Sequence, residues 1–190
     1  MNQLFAQIGL YENVEYVLRG KDGKIKQLFQ ENFLFRFLLK KGIVSPHAWK
    51  IPFLFGYWSD TKVVRNLVTT VGKALVAGRI NASGTPDPAT YIAVGTGTDA
   101  AAAGDTALQT EIADSGLSRA AATVSLVTTS TANDTAQMLK SFSVTGTKAV
   151  TESGVLNASS TGTLLCRQVF SAINVVNGDT LQMTWKVAVA

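Results

Sequence analysis

The sequence predicts a mainly-β protein, an antiparallel β-sandwich or barrel-like domain with one short-to-medium helix and an extended N-terminal hairpin or arm. Three observations carry this. Short strand-like runs recur at near-regular intervals through the C-terminal half, separated by turn formers. Ser and Thr supply 29 of the 110 residues from 81 to 190, and β-branched Thr suits the polar face of a strand. The last run alternates with period two: Leu181, Met183, Trp185, Val187 and Val189 share one face, Gln182, Thr184 and Lys186 the other. Such alternation marks a half-buried antiparallel strand.

The expected strands fall at 89–95, 119–130, 135–145, 149–157, 163–171 and 179–189. Turns such as Ser159–Gly162 and Asn177-Gly178-Asp179 link them. Residues 64–190 are thus expected to form a helix plus a Thr-rich β-sandwich that folds as a unit. Residues 1–63 are expected to hold a hairpin, an arm and an aromatic loop.

Within the N-terminal part, two strand-like runs flank Lys21-Asp22-Gly23. Asp-Gly tolerates positive φ, so a hairpin is predicted. Phe33, Phe35, Phe37 and Leu39 alternate with Leu34, Arg36 and Leu38, which reads as a strand apolar on both faces; a helix is the alternative. Residues 42–60 contain Pro46, Pro52 and six aromatic side chains counting His47, so they read as an unusually apolar loop. Residues 64–80 place Leu67, Val71, Leu75 and Gly78 at helical spacing, and Gly72 and Gly78 would let that helix lie close on a sheet.

The net charge of +4 conceals a split. Residues 1–80 carry twelve Lys/Arg against five Asp/Glu, and residues 81–190 five against eight, so +7 faces −3. A basic N-terminal part is expected either to meet an acidic protein surface or simply to be solvated. Its cations are too dispersed for a nucleic-acid arm, so nucleic acid is not expected as a partner. The first residues lack a basic segment followed by an apolar one, and the most apolar stretch, 51–58, is too short for a bilayer; neither a signal peptide nor a membrane partner is expected.

Catalytic chemistry finds little to stand on. One histidine, His47, and one cysteine, Cys166, cannot assemble a Cys–His pair, a triad or a zinc site, and no disulfide within the chain. Val94-Gly95-Thr96-Gly97-Thr98-Asp99-Ala100 follows a strand as a dinucleotide fingerprint does, but no βαβ unit follows it. Asp99, Asp105, Glu111 and Asp114 are too scattered for a calcium loop. The expectation is a non-enzyme with no cofactor and no metal. The aromatic loop supplies the candidate site. Trp49, Phe53, Phe55, Tyr57 and Trp58 cannot all stay in water: either the loop tucks over the chain's own core, or they anchor a neighbouring subunit, in which case they and Arg36, Lys40 and Lys41 are the expected protein-interface residues, since aromatic anchors and Arg dominate such contacts.

From NLVTTVGKALVAGRINASGTPDPATYIAVGTGTDAAAAGDTALQTEI onward, the chain resembles small virion structural proteins of tailed bacteriophages. The likeness runs through Ser118-Arg119-Ala120-Ala121 and AVTESGVLNASSTGTLLCRQVF to INVVNGDTLQMTWKVAV, covering residues 65–190; VLRGKDGKIKQ is similar to the opening of such proteins. The long aromatic loop 42–60 departs from it. The resemblance implies a place in the virion, with synthesis in the bacterial cytoplasm, and partners among virion proteins or further copies of this chain. Three placements follow: a cement (decoration) protein on the major capsid shell, a neck, tail or fibre-base component, or a receptor- or glycan-binding module. The lack of repeats and of a coiled-coil stalk favours the first, and many capsid copies would turn modest contacts into firm attachment.

Overall fold

The computed structural model describes residues 10–189 apart from Trp49, Asn66 and Thr85, and Leu10, Tyr11 and Glu12 by their backbone. Two antiparallel sheets stack face to face. In the first, β2 (Ile25–Lys26), β1 (Leu10–Arg19), β13 (Thr180–Val189), β10 (Thr135–Ser143) and β9 (Thr123–Val127) follow in that order. β5 (Lys62–Arg65) joins the edge of β1 that β2 leaves open. The second sheet runs β6 (Leu67–Val68), β12 (Leu164–Val175), β11 (Lys148–Leu156), β7 (Tyr91–Gly95) and β8 (Ala120–Ala121). A separate two-stranded ribbon pairs β3 (Leu28–Glu31) with β4 (Gly56–Ser59).

The alternation read in the last run is the reason for the core. Leu181, Met183, Trp185 and Val187 of β13 are buried among residues of the opposite sheet, while Val189 is half-exposed at the strand end. Each such side chain removed from water contributes about 1.5–3 kcal/mol. Tyr16 of β1 ties the layers: its ring lies 4.5 Å from Phe170 of β12, and its hydroxyl shares a 2.8 Å hydrogen bond with Ser153 of β11. Burial raises the Tyr16 hydroxyl well above its ordinary pKa, so it stays protonated.

The hairpin forms as expected. Gly23 takes φ 76°, its N–H donates to the Gly20 carbonyl, and Leu18 pairs with Lys26. Its first arm is more than an extension, however: β1 pairs with β13 over the whole of Leu10–Arg19, and the boundary expected between residues 63 and 64 falls inside β5.

Three local expectations need correction. Residues 33–40 are the helix α1 (Phe33–Lys40), not a strand. Asn32 is the cause: its Oδ1 accepts the Phe35 N–H at 3.0 Å and caps the first turn. A strand would have put Phe33, Phe35, Phe37 and Leu39 on one face; the helix separates a buried pair, Phe35 and Leu39, from an exposed pair, Phe33 and Phe37. The helix expected over 64–80 begins later, as α2 (Thr70–Asn81), because Thr69 caps it through the Gly72 N–H at 2.9 Å, while the β-branched Val63 and Val64 before it extend in β5. The loop 42–60 ends in a strand, β4, where Gly56 lets the ribbon close: a Cβ there would lie 2.1 Å from the Gln30 carbonyl oxygen. The close approach expected of α2 occurs at Gly72, where a Cβ would stand 2.1 Å from the Leu165 oxygen of β12.

Candidate docking surface

The ribbon β3–β4, α1 and the segment between them form a layer on the sandwich, and a bulge in β12 fastens it. Val150 of β11 faces Ile173, but Glu152 faces Val169, so Phe170, Ser171 and Ala172 oppose Thr151 alone. Extra residues in one strand free its polar groups and re-aim side chains. Ser171 turns its N–H to Glu31 Oε1 at 2.6 Å, and the Ala172 N–H goes to the Pro46 carbonyl at 2.9 Å. Lys62 completes the knot: its Nζ donates to Glu31 Oε1 at 2.6 Å, Ser171 Oγ at 2.6 Å and the Phe29 carbonyl at 2.9 Å.

Both charges are buried. Burial pushes the Lys62 ammonium down to about 8, with Glu31 opposing the shift. Burial alone would raise Glu31, but the charge and hydrogen bond of Lys62 outweigh it and hold the carboxyl below its ordinary range. Glu31 Oε2 is buried without a hydrogen-bond partner among the described residues.

Above this knot the layer presents rings and cations. Phe35 points inward, its ring 6.2 Å from Phe29 and 5.5 Å from Phe55. Phe33 and Phe37 point outward and stack at 6.5 Å with 22° between planes. The turn at 52–54 carries a third exposed ring. The Leu54 N–H bonds the Pro52 carbonyl at 2.8 Å, closing a γ-turn around Phe53, whose φ is 65°. A non-glycine residue in such a turn is strained. The strain is held by the surroundings: Asn32 Nδ2 donates to the Leu54 carbonyl at 2.8 Å, the Asn32 N–H to the Phe55 carbonyl at 2.9 Å, and the Phe53 N–H to the Gly56 carbonyl at 3.0 Å. Phe53 thereby projects with its whole side chain in solvent.

The residues expected at an interface divide accordingly. Phe53, Tyr57 and Trp58 are exposed, as are Lys40 and Lys41. Phe55 is half-buried against Phe35, and Arg36 is half-buried. Trp58 leans on Phe29 at 5.6 Å with the Lys50 ammonium 6.0 Å from its ring, and Lys41 sits 6.0 Å from the ring of Phe37. Trp49 lies outside the described residues. Sequence reasoning missed Phe33, Phe37 and Arg65; the helical spacing 33/37 against 35/39 behind a capping Asn was the signal for the first two. Beside α1 opens a cleft of about 610 Å³, walled by α1, β5, β12 and the chain at Ala100–Ala101.

The glycine motif has a structural explanation. The loop after β7 wraps the buried Glu152, whose Oε1 accepts the N–H groups of Gly97 (3.0 Å) and Thr110 (2.7 Å) and whose Oε2 accepts Gln109 N–H (3.1 Å) and Arg167 Nε (2.8 Å). A Cβ on Gly97 would lie 2.4 Å from Glu152 Oε1, so glycine is required by close approach to a carboxylate. Three of the four scattered acids are paired with cations, Asp105 with Arg167 at 2.8 Å, Glu111 with Arg119 and Asp114 with Lys148 at 2.8 Å, while the Asp99 carboxylate accepts the Gln109 side-chain amide. Among the described residues no three His, Cys, Asp or Glu side chains cluster as metal ligands, and no helix is long and apolar enough to cross a membrane. His47 is exposed and Cys166 is buried. Comparisons with protein-family models, curated proteins and solved structures return no match to this chain.

Proposed function

We propose that the protein is a structural component of a tailed-phage virion, a cement protein that docks on the capsid shell through the layer formed by α1, the 51–56 turn and β4. Phe53 carries this reading. A phenylalanine is held at positive φ by its neighbours, and its ring, wholly in water, contributes no burial to the isolated fold. Strain of this kind persists where the surrounding structure over-determines it, and it clusters at functional sites. Tyr57 and Trp58 on the adjoining β4 are exposed as well, and exposed aromatic side chains are characteristic of interface hot spots. The basic balance of residues 1–80 supplies an attraction toward an acidic partner surface. The motif resemblance over residues 65–190 supplies the virion setting. No chemical step is assigned to the protein.

The triple variant Phe53→Ala/Tyr57→Ala/Trp58→Ala tests this. It is expected to melt close to the wild type yet fail to join particles when expressed in place of it. Normal incorporation of the variant overturns the docking reading. Counting copies in purified particles decides the placement: hundreds of copies support a shell protein acting by avidity, whereas a dozen or fewer overturns it in favour of the neck or tail.

A further inference from the structure

We infer that the cleft beside α1 is a receptor for an acidic segment of a partner chain, one whose carboxylates flank a single apolar side chain. This rests on the reading of the N-terminal layer as a docking surface and names the chemistry of what it grips.

Charge decides the class of occupant. Arg36 and Lys40 from α1 and Arg65 from β5 line the cleft, and none of the three has a hydrogen-bond or ion-pair partner among the described residues. Lys26, Lys62, Lys148, Arg119 and Arg167 each hold a carboxylate; Lys21 and Lys73 also lack a partner among the described residues but stand on exposed surface outside the cleft, whereas Arg36, Lys40 and Arg65 share one concavity. The one acid in the cleft lining, Glu31, is already neutralised by Lys62 at 2.6 Å. Three unpaired cations therefore converge on one concavity, and an anionic ligand is what complements them. Arg is suited to grip a carboxylate with two parallel N–H donors.

The walls decide between acidic protein and nucleic acid. Phe37, Leu67, Ala100 and Ala101, all at least partly exposed, contribute an apolar part of the lining, which suits a leucine or phenylalanine side chain and offers nothing to a sugar–phosphate chain. An apolar anchor surrounded by charge-assisted contacts is the usual form of a short-segment site.

The probe is a short fluorescein-labelled peptide of glutamates with one central phenylalanine, titrated with the full chain at low salt and followed by anisotropy. Saturable binding is expected, weakened about tenfold or more by Arg36→Glu/Arg65→Glu, an effect of the size that loss of two charge-assisted contacts gives. The equal-charge control Lys24→Glu/Lys73→Glu, on the hairpin and on α2, is expected to bind as the wild type does. Phe33→Ala/Phe37→Ala provides a variant without charge change, and thermal melts establish that each variant is folded. Absence of binding, or equal loss in the cleft variant and the control, overturns the inference. Tighter binding of a thymidine oligonucleotide of matched charge, lost in the same cleft variant, overturns it in favour of nucleic acid. The docking reading fails separately: the Phe53/Tyr57/Trp58 variant should keep peptide binding while losing the particle.

Discussion

Two buried glutamates hold loops and layers to this sandwich, and they are satisfied to different degrees. Glu152 accepts four donors, two on each oxygen, and its cationic partner Arg167 also bonds Asp105 and the Asp99 carbonyl. Glu31 takes its donors on Oε1, with no partner for Oε2 among the described residues, and its cation is Lys62, which burial brings down to about 8. A completed network with an arginine, which keeps its charge, makes a fixed joint. A network one bond short, with a lysine able to lose its proton, makes a joint whose strength depends on conditions. The first lies under the glycine loop of the sandwich; the second lies under the layer that carries the exposed rings.

The largest effect should come from removing the layer and β1 together. Sequence reasoning expected residues 64–190 to fold without the segment before them. The structure places β1 between β13 and the pair β2 and β5, with Val14, Tyr16 and Leu18 in the core. Deleting residues 1–60 is therefore expected to abolish cooperative unfolding in urea, because β13 loses one of its two neighbours and the core loses the buried side chains of Val14, Tyr16, Leu18 and Leu28. A truncated chain with a native-like cooperative transition would show that the two parts are separable after all.

Next comes Glu152→Ala. It takes one of two carboxylates from the buried Arg167 guanidinium, which keeps Asp105, and leaves the N–H groups of Gly97, Gln109 and Thr110 without their acceptor. Breaking a buried pair on one side costs about 3–5 kcal/mol. Glu31→Ala should cost less, since Lys62 can shed its proton and keeps Ser171 and the Phe29 carbonyl. Comparable losses in urea titrations of the two variants would erase the distinction between the joints.

The pH dependence should separate them further. Lys62 has a folded pKa of about 8 against an ordinary value near 10.5, so between these values the unfolded chain binds the extra proton. Stability attributable to Lys62 therefore rises as pH increases through that window. Glu31 acts at the other end: its folded pKa is lowered, so its contribution is complete above the ordinary glutamate range and is lost as pH falls through the depressed value. Replacing the pair by Glu31→Leu/Lys62→Met should flatten both limbs at little cost in stability at neutral pH, because a well-packed apolar substitute often equals a buried ion pair. A variant that keeps the alkaline rise would assign it to another group.

How far the sequence speaks follows the same division. The sandwich strands were legible because a two-sided environment imposes period two: Leu181 to Val187 had to alternate, and the short turns left few other ways to pair. Thr69 and Asn32 show where legibility ends. Each is a single side chain whose oxygen caps a helix, and each shifted a boundary or changed a strand into a helix against the apolar pattern around it. The knot at Lys62 could not be read at all. It joins Glu31, Lys62 and Ser171, which are 31 and 109 residues apart from the lysine, through a bulge that no local pattern announces. The candidate site was half legible. The aromatic composition of 42–60 pointed to Phe53, Tyr57 and Trp58, but the exposed pair on α1 was hidden behind the strand reading.

The smallest expected change in stability is at Phe53, where the two regions differ most in kind. In the sandwich and on α2, positive φ falls on glycines such as Gly116, Gly162 and Gly178, which adopt it without cost, and equally on the smaller side chains Ala82, Ser115, Asn133 and Thr161. In the layer it falls on Gly42 and on a bulky phenylalanine. Phe53→Gly would relieve backbone strain of about 1 kcal/mol or more, while the added freedom of glycine in the unfolded chain takes back about 0.4–1 kcal/mol. The ring contributes no burial to offset either, being wholly exposed. The variant should unfold within about 1 kcal/mol of the wild type, a shift of roughly 2–4 °C at most for a chain of this size, and Phe53→Ala should be no more stable than Phe53→Gly. Particle attachment should fall in both. Loss of several kcal/mol on Phe53→Gly would mean that the ring supports the fold, and the argument from its strained exposure to a docking role would lose its premise.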